Sequence, residues 1–187
     1  PDATDCTSGT WQMTTPEEDY VVRFQEIKRQ IELGNTYQIN FTLRQRAEGL
    51  VDPWQFFLGI ANVAPYSAFI DTDDYAIVST SPELFFRLQG DDLTCQPMKG
   101  TAARGMTLAD DVAARQALYE SVKNRAENVM VTDMLRNDMG RIAKPGSVAV
   151  KSLYDVVKYP TLWQMTSTVT AKTQASITEI FGALFPC

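Results

Sequence analysis

Histidine is absent from all 187 residues, and that gap removes more chemistry than any other feature of the composition. Without it there is no Ser-His or Cys-His nucleophile pair, no His-ligated zinc and no side chain that titrates unperturbed near neutrality. Cysteine is scarce. Cys6, Cys95 and Cys187 are an odd number without CxxC spacing, which leaves no disulfide framework and no thiolate zinc site, and fits a reduced cytoplasmic setting. No stretch approaches the roughly 18–20 apolar residues of a membrane helix. The opening PDATDCTSGTWQM has neither the cationic start nor the apolar centre of a secretory leader, so no membrane partner is expected. Positive charge is in the minority, 17 Lys plus Arg against 23 Asp plus Glu for a net charge of −6. With no basic stripe to neutralise phosphates, nucleic acid is excluded as a partner. Any catalysis must come from carboxylate, lysine, backbone or a hard metal ion.

Against these absences stands an ordinary globular composition, 44% apolar and 21% charged, in a chain long enough for one domain with a substantial core. Thr15-Pro16-Glu17-Glu18 predicts a helix start with Thr15 as cap and Pro16 in the first turn; Tyr20, Phe24, Ile27 and Ile31 then recur at helical spacing up to Gly34. In TYQINFTLRQR, Tyr37, Ile39, Phe41 and Leu43 alternate with polar residues, which predicts a strand. Asp52-Pro53 opens a short helix, PWQFFLGIA. Between Tyr66 and Met98 the runs SAFIDT, YAIVST, ELFFRLQ and LTCQPM, separated by DD, SP and GDD, predict an antiparallel meander. Residues 108–142 contain no proline and are rich in helix formers, so they form a long helix or two joined ones. SVAVKSLYDVVKY and LWQMTSTVTAK read as strands, and SITEIFGALF opens a last helix. The whole reads as one α+β domain.

Three residues carry candidate chemistry. Lys99, in PMKGTAARG, lies among small residues; it lacks the upstream glycines and following helix of a nucleotide-binding loop. It is either a solvated or paired surface charge, or an amine that burial keeps neutral enough to attack. Glu83, in TSPELFF, stands at a turn-to-strand boundary, where a carboxylate is usually just exposed. Glu127 lies mid-helix in KNRAENVM, one turn after Lys123, a plain i,i+4 partner. Together they offer a nucleophile and a hard-cation site, but spacing alone does not bring them together.

QPMKGTAARG, KNRAENVMVTDMLRNDMGRIAKPGSVAV and YPTLWQMTSTVTA, in that order and with GNTYQINFTLR before them, resemble the chorismate-utilising enzymes, and within them the aminodeoxychorismate-forming branch. The likeness runs from Trp11 to the end of the chain. It implies an α+β fold of two facing antiparallel β-sheets with helices outside, a Mg2+ cofactor, chorismate as substrate, and ammonia from a glutamine amidotransferase partner. Three positions sort the branches. Lys99, in P-x-K-G-T, resembles the nucleophile that adds to C2 of chorismate, where anthranilate-forming relatives carry Ala. Gln38 stands where water-using relatives carry a lysine base, which disfavours an isochorismate synthase. Gln164 stands where anthranilate-type relatives carry a His tied to loss of pyruvate, so pyruvate is expected to be retained.

The resemblance also implies roles. Glu83 acts as general acid on the departing C4 hydroxyl, with Leu84 and Phe85 as an apolar surround favouring its protonated form. Glu127 binds Mg2+. The backbone at Gly100 and Thr101 lines the ring-carboxylate pocket, Gln38 and Gln164 border the substrate, and Arg104, Asn128, Asp133, Arg136, Asn137 and Asp138 serve as scaffold. The product is 4-amino-4-deoxychorismate, on the way to para-aminobenzoate and folate. Family features such as an SITGAPK-like loop and a second Mg2+ glutamate are not among these residues. The chain is therefore expected to be a single, C-terminally incomplete chorismate-binding domain that alone does not turn over substrate. A different enzyme of the same family, an anthranilate or isochorismate synthase, and a non-catalytic fragment that keeps only a partner surface stay open as alternatives.

Overall fold

The computed structural model describes residues 10–48 and 52–185; Cys6 and Cys187 lie outside them. Packing divides the chain into two compact units, Pro1–Gly59 with Asp71–Val78, and Ile60–Ile70 with Ser79–Cys187.

In the first unit, β1 (Gln12–Met13) pairs with β2 (Gln45–Arg46), and α1 (Glu17–Glu32) lies between them in sequence. The helix is where the periodicity predicts, but its cap is Pro16 rather than Thr15. Pro16 has an extended ψ of 150° and makes no side-chain cap bond; Glu17, Glu18 and Asp19 instead place negative charge against the helix N-terminus. The strand expected over TYQINFTLRQR does not form, since strand structure is confined to Gln45–Arg46. Alternation supplies a face but not a partner strand. Tyr37, Ile39 and Leu43 stay exposed, while Phe41 stacks its ring on Tyr20 of α1 at 5.4 Å. The short helix α2 (Pro53–Ile60) forms as expected, with Asp52 accepting from the Trp54 and Gln55 amides at 2.9 and 3.0 Å. β3 (Tyr66–Asp71) and β4 (Ala76–Ser81), each divided between the two units, make a two-stranded sheet.

The second unit contains β5 (Leu84–Gln89), β6 (Asp92–Gln96), β7 (Met98–Ala103), α3 (Leu108–Glu120), α4 (Val122–Gly140), β8 (Ala149–Lys158), β9 (Leu162–Lys172) and α5 (Ile177–Leu184). β9 is its spine. β8 runs antiparallel along one edge of β9, and β6 and β7 share the other edge end to end, with β5 outside β6. The expected meander instead divides into two pairs, β3 with β4 and β5 with β6, in separate sheets. β6 and β7 form one line interrupted at Pro97, which has no N–H for the ladder. The Pro97 carbonyl still accepts from the Ser167 amide at 3.1 Å and from Thr166 Oγ1 at 3.0 Å.

Alternation along β9 separates two faces. Trp163, Met165, Val169 and Ala171 turn to the helices, joining Leu118 of α3, Leu135 and Met139 of α4, and Ile180 and Leu184 of α5 in the core. Gln164, Thr166, Thr168 and Thr170 line the opposite, polar face. α3 and α4 are two helices broken at Ser121, which ends one and accepts from the Asn124 amide to cap the other. Buried Asn128 pins α4 to the sheet: it donates to the Met165 carbonyl and accepts from Ser167 Oγ, which itself accepts from the Tyr154 amide at 3.2 Å. Ser176 and Glu179 form a capping box at the start of α5. Among the described residues, no helix is long and apolar enough to cross a membrane.

Candidate functional site

One extra residue shapes the site. The register of Cys95↔Val169 carries through Pro97 to Met98↔Thr166, then slips, so that the next partners are Thr101↔Gln164. Lys99 and Gly100 together stand against Met165 in a β-bulge, an irregularity that re-aims the side chains it carries. Gly100 meets two demands at once. Its φ of +97° is disfavoured for any side chain, and a Cβ there would lie 2.9 Å from Asn124 Cβ and 3.2 Å from Leu118 Cδ1. Helices α3 and α4 thus pack directly against β7 at this glycine. Lys99 is half-buried, and none of the ion pairs among the described residues takes it.

Glu83 reaches the same bulge from the β4–β5 turn. Its Oε1 accepts from the Met98 amide, next to Lys99, at 2.9 Å, and Ser81 Oγ accepts from the Glu83 amide at 3.2 Å. The carboxylate is exposed, and Phe85 packs with Phe86 and Phe181 instead, so the apolar surround expected from its neighbours is not there. Across the bulge, Thr101 Oγ1 donates to Gln164 Oε1 at 2.9 Å. Lys99, Glu83, Gly100, Thr101 and Gln164 therefore gather around one point of β7. Glu127 is three residues beyond Asn124, one turn along α4 from the helix's contact with Gly100. It keeps its sequence-predicted partner, Lys123, at 3.7 Å, and among the described residues it joins no cluster of three metal-binding side chains. Gln38 lies in the other unit, exposed, with its carbonyl accepting from Thr36 Oγ1 at 3.0 Å.

Beside the bulge, on the polar face, lies a cavity of about 740 Å³ lined by Tyr66, Gln96, Met98, Tyr159 and Thr166 among others. Tyr66 OH meets Gln96 Oε1 at 3.4 Å, and Gln96 Nε2 donates to Thr168 at 3.3 Å. Past the bulge, Arg104 grips Asp111 with two bonds of 2.6 Å, donates to the Tyr159 carbonyl at 3.0 Å and stacks over Trp163 at 5.0 Å. Asp111 also accepts from the Gly105 amide and the Trp163 indole at 3.0 and 2.9 Å. Arg104 above all, then the Gly105 and Trp163 donors, hold the Asp111 carboxyl well below the usual carboxylate range, against the opposing effect of burial. Sequence reasoning marked Arg104 as scaffold but missed Asp111 and Tyr159. Asp111 is one of two aspartates in the first turn of α3, and only its burial separates it from Asp110.

A sequence profile described as chorismate binding enzyme matches residues 2–187. Aminodeoxychorismate synthase component 1 of Klebsiella aerogenes is 39% identical over 188 residues, covering 98% of this chain and 42% of that protein. The Escherichia coli K12 protein of the same name is 37% identical, covering 94% of this chain and 40% of its own length. The chain thus spans about two-fifths of the length of these curated relatives. Among solved structures, anthranilate synthase component I from Streptococcus pneumoniae TIGR4 superposes with a TM-score of 0.84 at 24% identity, over 98% of this chain and 41% of that one. MenF, the menaquinone-specific isochorismate synthase of Escherichia coli, gives a TM-score of 0.74 at 14% identity, over 96% of this chain and 43% of that one.

Proposed function

Because the chain belongs to the chorismate binding enzymes, we propose that Lys99 and Glu83 are the reacting pair of an aminodeoxychorismate synthase. The observation that carries this reading is the bulge: it sets a half-buried lysine, without an ion-pair partner among the described residues, beside a carboxylate anchored on the neighbouring Met98 amide. The Lys99 nitrogen bonds to C2 of chorismate, the ring double bonds shift, and the C4 hydroxyl leaves as water with a proton from Glu83. Glu83 then takes the proton released by the alkylated nitrogen. Ammonia bonds to C4, the double bonds shift back, and the lysine amine leaves C2 with that proton; the new C4 ammonium restores Glu83.

Thr101 and Gln164, hydrogen-bonded across β7 and β9, form the polar wall beside this centre, and Gln164 offers no base for loss of pyruvate. Mg2+ suits Glu127, since that ion characteristically takes one or two protein carboxylates and keeps several waters. Bound there, it would supply positive charge to hold the ring carboxylate near Gly100. The ammonia donor we propose is a glutamine amidotransferase subunit, and the setting is cytoplasmic folate biosynthesis. Since the chain spans two-fifths of its relatives, turnover is proposed for a full-length protein carrying these residues, and the 187 residues alone are expected to be inactive.

The test is Lys99→Ala in that full-length protein. Aminodeoxychorismate formation from chorismate and ammonium should fall by roughly a thousandfold or more. Lys99→Arg should not rescue it, because a guanidinium stays protonated. Retention of activity in either variant would overturn the reading, as would anthranilate or isochorismate as the product of the unsubstituted protein.

A further inference from the structure

Glu83 sits in an exposed turn, where a side chain is normally mobile, yet the turn is held at three points. Two belong to the turn and the bulge: the Ser81 hydroxyl on the Glu83 amide, and the Met98 amide on the Glu83 carboxylate. The third comes from far along the chain. Tyr159 OH donates to the Pro82 carbonyl at 3.1 Å, across 77 residues. Tyr159 is itself fixed at its main chain, where its amide donates to Leu162 O at 2.9 Å to close the β8–β9 turn and its carbonyl accepts from Arg104 at 3.0 Å.

We infer that Tyr159 is a positioning residue for Glu83: its phenol holds the Pro82 carbonyl so that the adjacent carboxylate is delivered to the Met98 amide beside Lys99. Arg104 and Asp111 anchor Tyr159 and so complete a closed circuit of hydrogen bonds around the bulge. Burial pushes the Tyr159 phenol up, helped by the charges that Tyr66 and Glu83 carry when ionised, so the hydroxyl remains a donor through neutral pH. The inference rests on the reading of Glu83 as the acid of the reaction.

A double-mutant cycle in the full-length protein tests it. Tyr159→Phe keeps the ring and removes only the hydroxyl. We expect kcat to fall roughly tenfold with KM little changed, and the Met98 amide to exchange with solvent about tenfold faster. In a Glu83→Gln background, Tyr159→Phe should lower kcat no further, because its effect acts through Glu83. If Glu83→Gln lowers kcat but Tyr159→Phe does not, or the two losses multiply, the inference is overturned. If Glu83→Gln leaves kcat intact, the reading of Glu83 as acid fails instead. The positioning claim is then decided by Met98 exchange: faster in Tyr159→Phe supports it, unchanged refutes it.

Discussion

Along one edge of β9, two stretches of the same chain meet the same partner strand and behave differently. The β6 half, Asp92 to Cys95, runs in unbroken register and turns Leu93 and Cys95 into the core, both fully buried. The β7 half, Met98 to Ala103, admits an extra residue at Lys99–Gly100 and exposes Thr101. Pro97 stands between them without disturbing the register. The regular half is what the sheet needs for stability. The irregular half costs ladder bonds and a left-handed backbone, and it carries Lys99, Gly100 and Thr101, around which Glu83 and Gln164 gather from other elements. Local strain is tolerated here because α4 and the Arg104–Asp111 clamp hold both sides of the bulge.

That contrast can be broken from the regular side first. Leu93→Ala removes a fully buried side chain from the main cluster and should cost about 3 kcal/mol in urea unfolding. Activity per folded molecule should be unchanged in the full-length protein. Gly100→Ala attacks the bulge: the added Cβ meets Asn124 and the φ of +97° becomes strained, for a cost of about 2 kcal/mol. Unlike Leu93→Ala, it should also lower kcat, because relief of the clash moves Lys99. Equal loss of activity in both variants would erase the distinction between the halves.

The clamp sharpens the comparison through pH. The folded-state pKa of Asp111 is held below its unfolded value, so the stability it contributes is present above an unfolded pKa near 3.8 and is lost as pH falls through the lower folded value. Thermal melts of Asp111→Asn below about pH 4 should therefore fall less steeply with acid than those of the unsubstituted protein. At neutral pH the variant should melt lower. Parallel acid profiles would remove the clamp from the account.

Much of this was legible in the sequence. The last helix opening at SITEIFGALF, the helical stretch over residues 108–142 and the Lys123–Glu127 pair are local, and the side chains that define them lie within a turn or two of one another. Spacing alone did not bring Lys99 and Glu83 together; the β7–β9 register sets Thr101 against Gln164, and the Met98 amide draws Glu83 to the same bulge. What could not be read are the partners that have no side-chain signature. Glu83 binds a backbone amide, and Tyr159 binds a backbone carbonyl 77 residues away. Pro97 reads locally as the end of a strand, whereas only the pairing of β9 with both flanks shows the line continuing. Residues 37–43 have a strand's alternation but gain no ladder, and Phe41 is drawn to an aromatic stack on α1.

The central claim is that the amine at the bulge bonds to the substrate ring. Incubating the full-length protein with chorismate and no ammonia source, then digesting it and weighing the peptides, tests this directly. The account predicts that the peptide containing Lys99 gains the mass of chorismate less one water, and that the gain disappears on adding ammonium. Normal product formation with ammonium, accompanied by an unmodified Lys99 peptide under every ammonia-free condition, would contradict it.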